Sequence, residues 1–385
     1  MTASTRAASP GMEVRPCVHV GWPFDDMAAM NRQYKEEADM KNVLFTVVAR
    51  ALVMTGLACS PAVAQDRVEE LATYQGPDRQ ARLIEAAKKE NGITIYHAYP
   101  ALTNVMAAFT KKYGIKTRPW RAGSEAVLQR LTTEARGNRF EVDIVQNNAP
   151  ENEAAHREKL LQAVRTPLTD DLIPQAVPAH REWVGITLDV WVAAYNTTKV
   201  KESELPKRYE DLQDPRWKGR LGIEANNHGW YGTLLSELGE QRGREIFNNI
   251  VATNGISARK GHSLLTTMVG SGEVPLALTV YNWNPEQLAA KGAPIKGLPI
   301  DPVIAQPSTV ALMKKAPNPA SAILFYEFVI SEAGQRIMQG MSYVTTHKRL
   351  EHPLRNASLK FVDPVKALDM QAVWLADFEK TILKK

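Results

Sequence analysis

The stretch "GITIYHAYPALTNVMAAFTKKYG", Gly92 to Gly114, combines a short apolar run, a loop and an amphipathic segment. The run Ile93 to Tyr96 has the length and the β-branched composition of a buried strand. The later apolar residues recur at helical spacing, and Gly114 stands where a helix C-cap is expected. The stretch therefore predicts one strand–loop–helix unit.

The same scheme follows twice more along the chain. "IKTRPW" predicts a strand, and "RAGSEAVLQRLTTEARG" predicts a helix with Ser124 as its N-cap and Gly137 as its end. "VDIVQNNAPENEAAHREKLL" predicts a strand, a loop at Asn147 and Asn148, and a helix. Three such units in succession predict an α/β domain with a largely parallel sheet.

The loops that follow these strands are the expected ligand-binding edge of such a sheet. They are 97–100, 121–125 and 146–149, and they contain small residues and predicted helix N-termini. Helix N-termini suit an anionic or oxygen-rich ligand. The pattern alone leaves open whether these loops bind a ligand or are only turns and caps.

The second half of the chain repeats the pattern. "WVGITLDVWVAAYNTTKV", residues 183–200, is a long β-rich segment that carries the chain into a second domain. "RLGIEANNHGWYGTLLSELG" and "VPLALTVYNWNPEQLAAKG" are again strand, loop and helix, with His228 at the first helix mouth and Tyr281 at the second strand end. "VDPVKALDMQAVWLADFEKTILKK" predicts a terminal helix. These groups predict two similar α/β lobes with a cleft between them.

Residues 40–64 have the three-part layout of a secretory signal peptide, with a basic start, an apolar run and an Ala62-Val63-Ala64 end. Cleavage is expected before Gln65, so residues 1–39 are interpreted as a start-site artefact, with a disordered extension as the alternative. Cys59 is a candidate lipidation site, although Gly56 stands where a branched apolar residue is expected. The mature chain then contains no cysteine and needs no disulfide or thiolate metal site.

The composition favours an exported soluble protein. The chain of 385 residues has a formal net charge of +5, and residues 1–64 carry as many basic as acidic side chains. The excess slightly favours an anionic ligand and is far from the basic surface of a nucleic-acid-binding protein. There is no second hydrophobic span. The expected location is therefore the periplasm.

One segment resembles a known family. "LPKRYEDLQDPRWKGRLGI", Leu205 to Ile223, is similar to the run that enters the second lobe of periplasmic solute-binding proteins, and "NTTKV", "GSGEVPLALTVYNW" and "FYEFVISEAGQRIM" stand in the same order. The chain resembles a solute-binding protein of an ABC importer, in the ferric-iron, thiamine and polyamine-like branch of the type 2 periplasmic binding protein fold. The resemblance covers residues 65–385.

The resemblance implies two Rossmann-like lobes joined by hinge strands, with the ligand cleft between them. Residues 65–186 and 306–385 would form lobe 1, and residues 187–305 would form lobe 2. Hinges would fall near 187–195 and 304–309. The implied protein is a monomer that closes on a small solute and then docks on a membrane permease.

The resemblance implies ferric iron or an iron chelate as the solute. Iron-binding members place two adjacent tyrosines at the second lobe's strand end; here the corresponding run is Tyr281-Asn282-Trp283, so the second tyrosine is replaced by an amide. Glu125 stands near a carboxylate position, and the histidine position falls on Pro100, with His97 three residues earlier. The implied metal ligands are Tyr281 and Glu125, and Fe3+ is the transported ligand rather than a cofactor.

A small organic or phosphorylated anion or zwitterion, for uptake or signalling, is the alternative solute. Helix starts at Ser124 and Trp230 and the cations Arg121 or Arg259 would hold it. The full set of predicted ligand-binding residues is Tyr99, Arg121, Ser124, Glu125, Asn147, His228, Trp230, Arg259, His262, Tyr281, Asn282 and Trp283.

No pattern supports an enzyme. The sequence contains no G-x-S-x-G elbow, P-loop or His-Glu-x-x-His motif. His156, His180, His347 and His352 show no metal-ligand spacing and are interpreted as structural or surface residues. No catalytic residue is predicted.

Overall fold

The computed structural model describes residues 61–384, and describes side chains from residue 67 onward except that of Asn356. The predicted extension 1–39 and most of the predicted signal peptide 40–64 therefore lie outside the described residues. The first described helix begins at Pro61 and runs past the predicted cleavage position.

Helices and strands alternate along the described chain. The strands are β1 (Ile93–His97), β2 (Thr117–Arg121), β3 (Ile144–Asn148), β4 (Leu161–Gln162), β5 (Val184–Asn196), β6 (Leu221–Glu224), β7 (Ser257–Arg259), β8 (Leu276–Tyr281), β9 (Ile295–Leu298), β10 (Val303–Met313), β11 (Val344–Thr345) and β12 (Leu359–Phe361).

The α-helices are α1 (Pro61–Thr73), α2 (Arg79–Ala87), α3 (Leu102–Tyr113), α4 (Ser124–Arg136), α5 (Ala149–Arg157), α6 (His228–Leu238), α7 (Glu240–Asn254), α8 (His262–Ser271), α9 (Trp283–Ala289), α10 (Pro319–Ile330), α11 (Glu332–Gln339), α12 (Pro364–Asp369) and α13 (Gln371–Phe378). Short 3-10 turns lie at Pro167–Asp171, Pro174–Ala176, Glu202–Glu204, Tyr209–Gln213, Pro215–Trp217 and Pro353–Asn356, and a π turn, Glu379–Leu383, follows α13. None of the helices within residues 61–384 is long and apolar enough to cross a membrane.

The predicted strand–loop–helix units are confirmed, with changes at their ends. Gly114 ends α3 in the left-handed conformation, at φ 71°. Gly123, rather than Ser124, is the N-cap of α4, and Ser124 is its first residue. The terminal helix is divided at Met370 into α12 and α13.

Two long antiparallel strands join the two halves of the sheet. The order is β2-β1-β3-β10-β5-β8-β6-β7, with β4, β9, β11 and β12 attached to β10 or β5. The outer pairs β1–β2, β1–β3, β6–β7 and β6–β8 are parallel as predicted, whereas β5 runs antiparallel to both β10 and β8. Every residue of β5 and β10 is buried, because both faces of each strand are covered.

The hydrophobic residues form separate cores on the two sides of this crossing. One core contains Ile186 from β5 and Val310 from β10, packed with α3, α4 and α10. Another contains Trp191 from β5 and Ile304 from β10, packed with α6 and α7. Each long strand therefore passes from one lobe into the other.

The C-terminal helices pack with the second core. Val362, Trp374, Phe378 and Ile382 belong to the cluster that contains α6 and α7. The lobe boundaries remain a prediction, but the side chains of this final segment, which the sequence assigned to lobe 1, contact lobe 2. Hydrophobic periodicity identified the helix and could not identify which core it covers.

Gly232 allows α13 to approach α6 closely. A Cβ added at Gly232 would lie 2.1 Å from Cδ2 of Trp374, whereas one added at Gly229 on the same helix would meet nothing within 4 Å. We expect Gly232→Ala to lower the free energy of unfolding by about 1–3 kcal/mol through overpacking. Gly229→Ala, the control, should leave it unchanged or raise it by up to about 1 kcal/mol. Chemical denaturation measures both; equal effects would contradict the close packing.

Candidate functional site

A cleft of about 1020 Å³ lies over the crossing of β5 and β10. Its lining includes Tyr99 and Ser124 from the first lobe, and Trp230 and His262 from the second. Residues on α12, including Leu368, line it as well. The cleft is therefore positioned to contact a ligand from both lobes.

The floor of the cleft is formed by cross-strand pairs. Asp189 on β5 lies opposite Gln306 on β10, and Trp191 on β5 lies opposite Tyr281 on β8. Asp189 and Trp191 face the same side of the sheet because side chains two residues apart share a face. The Nε2 of Gln306 donates a hydrogen bond to the Tyr281 hydroxyl at 3.5 Å.

Tyr281 is the centre of an aromatic group. Its ring centroid lies 4.1 Å from the imidazole of His262, 5.4 Å from Trp191 and 6.2 Å from Trp283. Trp283 in turn contacts the ring of Tyr99 edge-on at 6.5 Å. These contacts restrict the side-chain rotamer of Tyr281, so its hydroxyl keeps one position at the cleft floor.

Three acidic residues of the cleft have raised pKa values. Burial raises the pKa of Asp189 to about 7 and that of Glu151 to about 7, and it also raises the pKa of Glu224. Burial raises the pKa of Tyr281 well above its usual value, and the negative charges of Asp189, Glu224 and Glu151 raise it further. The Tyr281 hydroxyl therefore keeps its proton in the ligand-free protein at neutral pH.

Two histidines of the cleft are neutral at neutral pH. Burial lowers the pKa of His262 to about 4 and also lowers the pKa of His228. The Nδ1 atom of each ring is buried without a hydrogen-bond partner. A neutral imidazole can donate a hydrogen bond or bind a metal ion, depending on its tautomer.

Unpaired buried polar atoms are concentrated in the cleft. Such atoms are uncommon in folded proteins because each loses its hydrogen bonds to water without replacement. Among the described side chains, those that line the cleft and lack a partner are Glu151 Oε2, Asp189 Oδ1, Asn227 Nδ2, His228 Nδ1, His262 Nδ1 and Trp283 Nε1. Both donors and acceptors are included, so a polar ligand would satisfy them.

Three helix N-termini open into the cleft. The N-caps of α4, α6 and α8 are Gly123, Asn227 and Gly261, and none provides a side-chain hydrogen bond to its helix. Glu224 partly fills this position, because its carboxylate accepts the backbone N–H of Asn226 at 2.7 Å and that of Gly261 at 2.9 Å. The free N–H groups and the helix dipoles favour anionic oxygen atoms.

The cationic side chains of the cleft lie near its edge. Arg121 and Lys260 are exposed, and neither forms an ion pair with another residue of 67–384. Arg157 also lines the cleft, but its guanidinium is paired with Asp369 of α12 at 2.5 Å. Arg121 and Lys260 are therefore the cations best placed to contact a ligand.

Most of the predicted ligand-binding residues line the cleft. They are Tyr99, Arg121, Ser124, Glu125, His228, Trp230, His262, Tyr281 and Trp283. Tyr281 and Glu125, the implied metal ligands, are both among them, although Glu125 is exposed. Trp230 packs mainly in the second core, against Tyr209 and Phe247.

Three predicted residues do not line the cleft. The amide of Asn147 is buried and donates to the backbone oxygen of Ser124 at 3.0 Å, and the amide of Asn282 donates to that of Ser342 at 3.1 Å. Arg259 donates to the backbone oxygen of Ala258 at 2.9 Å. Asn148 and Lys260, each one residue further along the chain, line the cleft in place of Asn147 and Arg259; Asn148 is the last residue of β3, and Lys260 directly follows β7.

His97 does not substitute for Pro100. Its Nδ1 contacts the backbone oxygen of Tyr99 at 3.0 Å and its side chain is buried, whereas Pro100 lines the cleft. The side chain of His97 therefore packs inside the first lobe, and His97 does not line the cleft.

The sequence analysis missed the acidic residues of the floor. Asp189 lies in "VGITLDVWVAAYN", where it is the single charged residue of a long apolar strand, and Glu224 ends the apolar strand β6. A lone acid in an otherwise apolar strand is a usable signal, because burial of an unpaired charge is costly without a functional reason. Gln306 is uncharged, so the sequence contained no comparable indication that it belongs to the cleft.

The sequence matches the family described as bacterial extracellular solute-binding protein over residues 149–367. This match covers more than half of the chain. The chain belongs to the family of bacterial extracellular solute-binding proteins.

Similar curated proteins include periplasmic and iron-uptake proteins. The chain is 27% identical to the Fe(3+)-binding periplasmic protein of Serratia marcescens over 205 residues, which cover 52% of this chain and 60% of that protein. It is 25% identical to iron uptake protein A1 of Synechocystis sp. over 287 residues, which cover 70% of this chain and 79% of that protein.

A solved structure confirms the fold. Iron-bound HitA from Pseudomonas aeruginosa superimposes with a TM-score of 0.64 at 21% identity, over 74% of this chain and 98% of HitA. The solute-binding protein therefore has the type 2 periplasmic binding protein fold, with two lobes, as the sequence predicted.

The raised pKa of Asp189 predicts a pH-dependent stability. Because the folded protein raises this pKa from 3.8 to about 7, the contribution of Asp189 is most favourable below about pH 4 and is lost as the pH rises towards 7. We therefore expect Asp189→Asn to stabilise the ligand-free protein more at pH 8 than at pH 5, by roughly 2–3 kcal/mol. Urea denaturation at both pH values measures this difference. Asp170→Asn, at an exposed carboxylate, is the control; parallel pH profiles for wild type and Asp189→Asn would contradict the burial argument.

Proposed function

We propose that this solute-binding protein is the periplasmic component of an ABC import system and that its solute is ferric iron bound to a chelating anion. The observation that carries the proposal is that Asp189, Glu151 and Glu224 line the same cleft as Tyr281, whose pKa they raise. A phenolate and carboxylates are the oxygen donors that a hard trivalent cation prefers.

A bound cation would lower the pKa values of the acidic groups that burial raises at this site. In the ligand-free protein, burial raises the pKa of Asp189, and burial together with the nearby acidic groups raises that of Tyr281. A bound cation is the largest local charge in a site and lowers the pKa of the groups that coordinate it. Fe3+ would therefore displace the phenolic proton and stabilise the carboxylates, and the neutral imidazole of His262 next to Tyr281 adds no competing charge.

The size of the cleft and the spacing of its donors favour a chelate over a bare ion. The cleft occupies about 1020 Å³, which is far more than one ion fills. Within residues 67–384, the carboxylates and imidazoles of the cleft do not form a group of three whose ligand atoms lie within 4.8 Å of one another. An anion would supply the remaining oxygen ligands, and the N-terminus of α4 with Arg121 and Lys260 would hold its outer oxygens.

The relatives support iron as the solute. The Serratia protein is named as binding Fe(3+) and the Synechocystis protein as acting in iron uptake. Because Asn282 replaces the second tyrosine, the protein would supply fewer ligands to the iron. The chelating anion would then supply more of them. Because ligand contacts from both lobes form only when the lobes approach, binding would shift the population towards a closed form that docks on a membrane permease.

The proposal predicts an iron-dependent signal that needs Tyr281. We expect ferric citrate or ferric nitrilotriacetate to raise the melting temperature and to produce a visible phenolate-to-iron absorption band, since a ligand at 100 times its Kd stabilises the native state by about 2.7 kcal/mol. Tyr281→Phe should lose the band and most of the shift, and Tyr113→Phe, at a tyrosine outside the cleft, should keep both. Absence of both signals in the wild type would contradict iron binding.

A small organic or phosphorylated anion is the second candidate. It is favoured by the three helix N-termini without side-chain caps and by the unpaired cations Arg121 and Lys260. Glu224 opposes it, because this carboxylate already accepts two of the backbone N–H groups of the second lobe.

If the solute is an organic anion, substitution of either cationic side chain of the cleft should lower the affinity for it. Mass spectrometry of the co-purified ligand identifies the anion to be used as the probe. Calorimetry on protein from which iron has been removed then measures the affinity for that anion. We expect Arg121→Ala and Lys260→Ala each to weaken binding about tenfold, because a charged hydrogen bond contributes about 1.5–3 kcal/mol before solvent screening. Arg259→Ala, next to Lys260 but outside the cleft lining, should bind normally. Unchanged affinity in both cleft variants would exclude these residues as the anion's anchor.

A further inference from the structure

A second polar cluster lies outside the cleft lining, on the first lobe. It contains Glu153, His156 and His180, and their potential ligand atoms all lie within 4.8 Å of one another. Within the described part of the chain, this is the group of three histidine or acidic side chains spaced closely enough to hold a metal ion. None of the three lines the cleft.

The geometry of the cluster is set by one helix and one loop. Glu153 and His156 lie three residues apart on α5, so their side chains share one face of the helix. His180 comes from the loop before β5, and its imidazole stacks on that of His156 with centroids 4.0 Å apart and planes at 13°. The two rings therefore lie parallel and close to the carboxylate, and they come from different elements.

A neighbouring carboxylate orients the first histidine. The Nδ1 of His156 pairs with Oε2 of Glu182 at 2.7 Å, which leaves Nε2 of His156 as the nitrogen available to a metal. A carboxylate on the second nitrogen is the usual partner of a metal-binding histidine, since it fixes the ring and raises its basicity. Glu182 therefore has the position of a supporting residue for a metal site.

The second histidine has a nitrogen without a hydrogen bond. Nε2 of His180 is buried and lacks a partner, and it lies 3.4 Å from Oε2 of Glu153. Its Nδ1 accepts the backbone N–H of Glu182 at 3.0 Å, a contact that is given up when Nε2 binds a metal and Nδ1 carries the proton.

The charge of the cluster favours a divalent cation. Glu153 and Glu182 contribute two carboxylates, and the neighbouring cation Arg157 is shared between Glu153, at 3.8 Å, and Asp369, at 2.5 Å. A donor set of two imidazoles and one carboxylate is typical of zinc, which takes three protein ligands and keeps a fourth position for water. Tetrahedral bonds of about 2.0–2.1 Å place donors roughly 3.3 Å apart, close to the 3.4 Å between Nε2 of His180 and Oε2 of Glu153. The ring of His156 would have to leave its parallel stack on His180 to direct Nε2 at the same ion.

We propose that Glu153, His156 and His180 bind a divalent transition metal ion, best Zn2+, with Glu182 as the residue that positions His156. This site is chemically distinct from the oxygen-rich cleft and does not depend on the solute. It connects α5, whose residue Glu151 lines the cleft, to the segment directly before β5. Metal binding would therefore stabilise the first lobe next to the crossing strand.

The test is calorimetric titration of the chelator-treated protein with ZnCl2. We expect saturable binding of one Zn2+ per chain and a rise in melting temperature that EDTA reverses. His156→Gln and His180→Gln should each weaken binding by more than tenfold, and Glu182→Gln by about 10- to 100-fold at unchanged stoichiometry. His352→Gln, a histidine outside both sites, and Tyr281→Phe should bind Zn2+ normally.

Co2+ provides a second readout that does not depend on stability. Its visible absorption bands report coordination by nitrogen and oxygen, and they should appear in wild type and disappear in the His156→Gln/His180→Gln double variant. Melting temperatures in EDTA verify that each variant folds. Absence of saturable binding, or binding that persists in the double variant, would overturn the proposal without affecting the iron experiment, which reads out Tyr281.

Discussion

The antiparallel pairing of β5 and β10 is the constraint on which the rest of the structure depends. These strands are buried along their whole length and pass from one core into the other, so the two lobes share a single sheet. The register places Asp189 opposite Gln306 at the point where the cores separate. The crossing therefore joins the lobes and also presents a buried acid to the cleft between them. A shift of one residue in this register would turn Asp189 away from the cleft.

The cleft combines groups that are unfavourable without a ligand. A buried carboxylate with an unpaired oxygen, a phenol whose pKa is raised by burial and two buried imidazole nitrogens without partners each carry a desolvation cost in the empty protein. Packing of the crossing strands and of both cores holds them in place. A ligand with a positive centre and anionic oxygens would satisfy the floor and the helix N-termini together. Satisfying these groups would contribute to the free energy of ligand binding. The contribution would be largest when both lobes contact the ligand.

The fold was predictable from the sequence because hydrophobic periodicity and glycine caps mark each strand–loop–helix unit, as at Ile93 to Gly114. Parts of the site were predictable for the same reason: Tyr281 and His228 stand where a strand ends or a helix begins. The choice between Asn147 and Asn148 was not, because it depends on which face of β3 is turned to the cleft. Asp189 was not predicted, although a lone acid in an apolar strand is an unusual feature, because the strand pattern does not show which strand forms the floor of the cleft. The cluster at His156 was missed because His180 is distant in sequence.

Anomalous X-ray diffraction at the iron edge, on crystals grown with ferric citrate, would locate the iron directly. We expect one strong anomalous peak in the cleft, within coordination distance of the Tyr281 hydroxyl and next to Asp189, with citrate density extending towards Arg121 and the start of α4. A peak confined to the surface, or a cleft occupied by an organic anion without iron, would contradict it.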